Sequence, residues 1–274
     1  MCELFAMSSR NPSAVTYSLP EFAANGAKLR SNRSGWGIAY LQQRDAFLVK
    51  EAEPASDSAW VDFIAHQRMS SRCVIAHVRY ATVGVNALHN THPFRRALGR
   101  RFHIFAHNGT LAGLHDQAAG IDLAARPVGD TDSELAFCLL LERLRPLWRQ
   151  ADAVPTLDDR MASFTGFAAD MAAIGPSNFV YTDGDALFVH AHKRVYEEDG
   201  ALTPPRAPGL TMRNCVDCAA APEWHCNGLD IELGDQQTIL FASVPLDDQG
   251  WEPLPEGTAI AVRDGAILAR RSTL

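Results

Sequence analysis

Short β-like runs crowd the two ends of this chain, and its clearest helices lie between them. That order constrains the fold more than any other feature. Regular βα alternation, the mark of a doubly wound parallel sheet, is missing. The expected class is therefore α+β, with packed antiparallel sheets flanked by helices. Strands are predicted at Cys2–Met7, Trp36–Leu41, Ala46–Lys50, Val74–Tyr80, His103–His107, Phe179–Thr182, Ala186–Ala191, Thr238–Ser243, Ala259–Val262 and Ala266–Ala269. They are rich in Ile, Val, Phe and Tyr and bounded by Gly, Asp, Asn and Pro. Thr182-Asp183-Gly184-Asp185 and Arg263-Asp264-Gly265 signal tight hairpins, because Asp-Gly supplies the positive φ such turns need.

One helix is predicted from Thr131 towards Leu144. It opens on Thr131-Asp132-Ser133-Glu134, which fits a capping box. A second runs from about Leu157 to Ile174, where Leu157, Met161, Phe164, Ala168 and Met171 form one apolar stripe. Weaker helices are predicted over Ser58–Arg68 and Ala14–Ala24, the latter interrupted at Pro20. Glu197–Gly209, with Thr203-Pro204-Pro205 and Pro208, reads as part of a loop or insertion over about 197–230. Residues 1–274 are otherwise read as a single domain.

Composition matters here for what it excludes. With 274 residues the chain can bury a sizeable core. Its net charge of -7 gives no electrostatic reason to expect nucleic acid or an anionic membrane as partner. No apolar run approaches the roughly 20 residues needed to span a bilayer. The N-terminus lacks the basic-then-apolar pattern of a secretory signal. A cytoplasmic location is expected, where thiols stay reduced, so the cysteines are expected as free thiols or metal ligands before disulfides.

Cys2 follows the initiator Met1 directly. If Met1 is removed, one residue carries both a thiol and a free α-amine. That amine titrates at about 7.7–8.0, near a thiol's value of about 8.5, so it can act as base for its own thiol without a histidine. Three other segments hold complementary groups. Arg79 closes an otherwise apolar strand, and its guanidinium fork suits either a structural ion pair or bidentate binding of a carboxylate. Asn108-Gly109 at a strand end suits either a turn or an oxyanion hole, in which Gly lets a backbone N–H approach closely and Asn adds a side-chain donor. Asp132 lies in the first turn of a helix, where it serves either to stabilise the helix end or to bind an ammonium group. Together they suit a substrate that is itself an amino acid with an acyl group at its far end. Glutamine, or another γ-glutamyl compound, fits.

In order and spacing, Cys2, Arg79-Tyr80-Ala81-Thr82, Asn108-Gly109 and Thr131-Asp132 resemble the class II, N-terminal-nucleophile (Ntn) glutamine amidotransferases. Within them the chain is most similar to the stand-alone YafJ-like branch, through Cys2-Glu3-Leu4, Gly35-Trp36-Gly37-Ile38, Asn90-Thr91-His92-Pro93-Phe94, Ala106-His107-Asn108-Gly109 and Gly129 to Cys138. The resemblance implies an αββα four-layer sandwich of two antiparallel sheets. It implies Cys2 as nucleophile with its own α-amine as base, Asn108 and Gly109 as oxyanion hole, Arg79 for the substrate α-carboxylate and Asp132 for its α-ammonium. Thr82 is a further candidate for the substrate pocket, and Trp36 either closes that pocket or is a core residue. Many members follow the Arg with Trp-Ala-Thr-His-Gly; here Tyr80 replaces the Trp and Val83 the His. His77, His92 and His107 are read as structural, because the amine makes a histidine base unnecessary.

The implied activity is release of ammonia from glutamine, or from another γ-glutamyl amide, through a Cys2 thioester. The alternatives are a γ-glutamyl hydrolase acting on a larger compound, and a non-catalytic glutamine-binding module. No ammonia-using motif follows, so a separate ammonia-accepting enzyme is an expected partner where the ammonia is used. No cofactor is implied. Cys215, Cys218, His225 and Cys226 carry the ligand types of a zinc site. The second pair is adjacent, so in a strand its side chains would point to opposite faces, and free thiols or a redox-labile pair are the preferred reading.

Overall fold

The computed structural model describes residues 2–15, 34–80, 84–149, 153–198, 200–216, 229–230, 236–248 and 250–274. The chain begins with β1 (Glu3–Val15), β2 (Trp36–Gln42) and β3 (Asp45–Glu51), then α1 (Ala59–Gln67) and β4 (Ser70–Val78). β5 (Phe94–Leu98) and β6 (Arg101–Gly109) follow, then the helices α2 (Leu114–Gln117), α3 (Asp132–Leu144) and α4 (Leu157–Ala172). After them come β7 (Ser177–Thr182), β8 (Leu187–Ala191), β9 (Glu197–Glu198), β10 (Ala201–Leu202), β11 (Thr211–Val216), β12 (Leu229–Asp230), β13 (Gln237–Ala242), β14 (Glu252–Pro253), β15 (Thr258–Arg263) and β16 (Ala266–Ser272).

The described strands form two large antiparallel sheets and a small one of β9 and β10 alone. The first runs β14-β11-β13-β1-β4-β2-β3, with β12 beside β1; the second runs β16-β15-β8-β7-β6-β5. Side chains alternate faces along each strand, and this sorts the apolar residues into three buried clusters. Leu4, Ala6 and Ile75 of the first sheet meet Ile104, Val180 and Val262 of the second between the sheets. Phe5, Val74 and Trp36, on the other face of the first sheet, pack with Val61 and Ile64 of α1. Phe105, Phe179 and Phe188, on the other face of the second, pack with Phe137 and Leu140 of α3 and Met161 and Phe164 of α4. The layers are therefore α, β, β, α, the sandwich expected.

Local signals hold in most places. Ser58 accepts from the N–H groups of Trp60 and Val61 to open α1, and Thr156 accepts from Asp159 to open α4. Asp264 and Gly265 both take positive φ, 49° and 73°, in the hairpin between β15 and β16. The capping box at α3 is half right. Thr131 Oγ1 accepts from Glu134 N at 3.2 Å, but Glu134 accepts from Val128 and Gly129 at 3.1 and 2.7 Å and pairs with Arg96. The glutamate is spent on tying the incoming loop to β5, not on Thr131.

Other expectations need correction. Residues through Val15 continue β1 as a strand, so a helix does not begin at Ala14; the rest of that prediction lies outside the described residues. β4 ends at Val78, leaving Arg79 and Tyr80 just past the strand. Six strands went unpredicted: β5, β11 and the two-residue β9, β10, β12 and β14. β11 falls inside the stretch read as loop or insertion, and it pairs with β13 along its whole length.

Candidate active site

Strand order brings the sequence candidates to one end of the sandwich. Glu3 of β1 pairs with Val78 of β4, so Cys2 lies beside the chain leaving β4. The sulfur is bracketed there by Tyr80: its N–H donates to Sγ at 3.1 Å, and the thiol donates to its carbonyl at 3.3 Å. From the second sheet, at the end of β6, Asn108 Nδ2 donates to the Cys2 carbonyl at 2.8 Å. Burial pushes the Cys2 thiol above its ordinary value, while the Tyr80 contact and the Arg79 charge pull against that rise.

Gly109 follows Asn108 where the chain passes close to Pro176. A Cβ there would lie 1.8 Å from the Pro176 carbonyl oxygen, so the position accepts only glycine. Asn178 fixes this corner, donating to the carbonyls of Asn108 and Lys193 at 3.0 and 2.7 Å. His107, one residue earlier, turns towards the helices. Its Nε2 faces the Pro176 carbonyl at 3.1 Å, which can only accept, so Nε2 carries the proton; Nδ1 then accepts from Ser133 at 2.9 Å. Ser133 N and the backbone N–H of Leu111 both donate to the Asp132 carboxylate, at 2.9 and 2.6 Å.

Arg79 is buried. Its guanidinium donates to the carbonyls of Ser34, Gly84 and Val85, each at 3.3 Å, and reaches Asn86 Oδ1 at 3.4 Å. It thus stands in a cradle of main-chain oxygens near the sulfur. Thr82 lies outside the described residues. Trp36 is fully buried beneath α1, its indole N–H on Glu51 Oε2 at 3.0 Å; it is a core residue and does not line a substrate pocket. Cys215 is buried in β11, while Cys218, His225 and Cys226 lie outside the described residues. No cluster of metal-ligating side chains occurs among the described residues.

A cavity of about 190 Å³ opens on this end of the molecule. Cys2, Asn108 and Gly109 form part of its wall, with Tyr80, Thr110 and Pro176. Its far wall comes from the segment of Arg194 and Val195 and from the hairpin of β9 and β10. Neither Arg79 nor Asp132 lines it. The structure thus brings nucleophile and oxyanion candidates into one pocket and keeps the two charged candidates behind it.

A larger cavity, about 510 Å³, lies elsewhere, among Ser71, Cys73, Thr182 and Arg263. It lies by the start of β4, the end opposite Cys2. Burial pushes the Cys73 thiol there up to about 12, which leaves it unreactive as a nucleophile.

Two features escaped the sequence reading. Glu3, next to Cys2, is buried and accepts from Ser243 Oγ at 2.5 Å; Arg194 approaches it at 3.7 Å and also donates to the Ser243 carbonyl. Burial raises the Glu3 carboxyl, and Arg194 pulls it back. Cys2-Glu3 was visible as a pair, but nothing near it in sequence names Arg194 or Ser243. The second feature is the Tyr80 main chain, whose role carries no side-chain signal.

Behind the site, His77 and His92 stack at 4.2 Å between ring centroids. Burial pushes His77 down to about 3 and His92 well below its ordinary value. Both are neutral core residues, as is His107.

An αββα sandwich with a cysteine next to the N-terminus, facing an Asn-Gly donor pair at one end of the sheets, defines the Ntn class of amidohydrolase folds. The comparisons agree. The family described as glutamine amidotransferases class-II matches residues 1–273, and the chain belongs to that family. It is 31% identical over 269 residues to a candidate glutamine amidotransferase of Haemophilus influenzae, covering 98% of this chain and 86% of the relative. It is 34% identical over 200 residues to YafJ of Escherichia coli, another candidate glutamine amidotransferase, covering 72% and 75% of the two chains. A crystal structure of a glutamine amidotransferase predicted in Pseudomonas aeruginosa superposes with a TM-score of 0.69 at 27% identity, covering 98% of this chain and all of that one.

Proposed function

We propose that this protein hydrolyses the side-chain amide of glutamine, or of another γ-glutamyl compound, through a thioester on Cys2. Met1 is first removed, which frees the Cys2 α-amine. The amine takes the thiol proton, and Sγ forms a bond to the γ-carbonyl carbon. Asn108 Nδ2 and the Gly109 N–H receive the negative charge that develops on the carbonyl oxygen. The C–N bond then breaks, the amine hands its proton to the leaving nitrogen, and water cleaves the thioester to give glutamate and the free thiol.

The observation that carries this reading is the contact set at Cys2. Asn108 is already clamped to the Cys2 carbonyl at 2.8 Å, and its amide has a second hydrogen for an oxyanion. Tyr80 N–H points at the sulfur at 3.1 Å, a donor that favours thiolate. Arg79 and Asp132, with Thr82, are assigned to the substrate's α-carboxylate and α-ammonium. In this reading the present main-chain contacts of Arg79 and Asp132 are exchanged for substrate when it binds.

Glutamate release from glutamine by the Met-free protein tests this. Cys2→Ala abolishes it in this account; an unaltered rate in that variant would assign the chemistry to another residue. The cavity next to the thiol also favours a second reading, hydrolysis of a γ-glutamyl compound larger than glutamine. Where ammonia is the product, a separate enzyme would consume it.

A further inference from the structure

The cavity at Cys2 is far too large for the leaving group of glutamine. Ammonia is about the size of water, whose share of liquid volume is roughly 30 Å³; the cavity offers about 190 Å³. The two groups assigned to the glutamyl end, Arg79 and Asp132, do not line it. The space is therefore left for whatever hangs on the nitrogen side of the scissile bond.

The walls say what that group is. Tyr80, Pro176, Val195 and Leu202 give the cavity a mainly apolar surface, and Glu197 adds a carboxylate to its wall that would repel an anionic leaving group. Tyr80 is 40% exposed and Leu202 69% exposed, so both hold apolar area that a ligand could remove from water. Arg194 borders the space, but its charge faces inward to Glu3 and Ser243, and it is 6% exposed. A carboxylate on the leaving group would find that cation already neutralised.

We propose that this cavity is a leaving-group subsite for an apolar amine, so that the preferred substrates are γ-glutamyl amides of alkyl or aryl amines, with Leu202 as a specificity-determining residue. This rests on the reading of Cys2 as nucleophile. The step is the same acyl transfer. The S–C bond forms, the C–N bond breaks, the thiol proton goes by way of the α-amine to the leaving nitrogen, and the neutral apolar amine departs through the mouth of the cavity. Water then regenerates the thiol.

The test measures kcat/KM for glutamate release by the Met-free protein from glutamine, γ-glutamyl-n-butylamide and γ-glutamylglycine. One methylene in an apolar pocket is worth roughly tenfold, so the butylamide is expected to exceed glutamine by roughly tenfold or more and to exceed γ-glutamylglycine. Leu202→Asp is expected to shrink the butylamide-to-glutamine ratio, and Leu202→Met to keep it. Leu202 is exposed on a two-residue strand, so neither change threatens the core. Hydrolysis of glutamine with a ratio at or below one, or a preference for γ-glutamylglycine, overturns the subsite and leaves the nucleophile standing. Failure to hydrolyse all three, with no adduct on Cys2 from a reactive glutamine analogue, overturns the underlying reading as well.

Discussion

Asn108 has two amide hydrogens, and one is committed to the Cys2 carbonyl. Truncating it removes the proposed oxyanion donor and a clamp together. Asn108→Ala is expected to lower kcat for glutamate release by roughly 10²–10³-fold, the usual loss for one such donor. A steady-state kcat within twofold or so of the parent would assign the oxyanion to other groups. Gly109→Ala should fail differently. The added methyl meets the Pro176 carbonyl, so the cost appears in stability as well as in kcat, read by urea unfolding beside the rate assay. At this scale the sequence was most legible where chemistry resides in side-chain type. Cys2, Asn108 and Gly109 could be picked out because few residues do what they do. The Tyr80 N–H could not, because every residue except proline has one. The Glu3–Arg194 contact was hidden because only the fold brings those residues together.

Among elements, α4 and the hairpin between β7 and β8 are tied by buried charge. Arg160 donates to Asp183 at 2.8 Å and meets Asp185 at 2.9 Å, and Arg160 and Asp183 are almost wholly buried. Asp183 Oδ1 also accepts from the N–H groups of Asp185 and Ala186, closing the turn. Asp183→Ala leaves a buried guanidinium short of a partner and should cost about 3–5 kcal/mol of stability by denaturant unfolding. A loss under about 1 kcal/mol would mean that Asp185 alone suffices. Thr131→Ala, which removes the α3 cap, should cost about 1 kcal/mol. The helices predicted over 58–68, 131–144 and 157–174 are present because their stripes and caps are local. β5 and β11 were missed for a shared reason: each carries charge where a strand pattern expects none. β5 is an edge strand bearing Arg95 and Arg96. In β11, Arg213 is buried against Asp247 at 2.7 Å, a neutralisation supplied from outside the strand.

Over the whole molecule, the histidines set the response to acid. Burial holds His77 at about 3, His103 and His190 at about 4, and His92 and His107 below their ordinary value. The sign follows directly. The unfolded chain takes up protons as pH falls through about 6.5, while in the folded chain His77, His103 and His190 resist until about 3–4, so the unfolded state gains. Stability is therefore full above about 6.5 and is lost progressively as pH falls from there towards 4. Each such histidine adds a slope of up to about 1.4 kcal/mol per pH unit. Urea midpoints measured from pH 7.5 down to 4.5 should fall steadily below 6.5. A flat profile would place these rings in water. The four-layer arrangement itself was not readable from strand spacing; it came from family resemblance, and the three buried clusters show its physical basis.

The central claim is that Cys2, freed of Met1, is the nucleophile. Intact mass measured before and after treatment with an electrophilic glutamine analogue tests it most directly. The account predicts a chain lacking Met1, one adduct located on Cys2 by peptide mapping, and no adduct in Cys2→Ala. A Met-free chain that stays unlabelled, or one labelled at another residue, would contradict it.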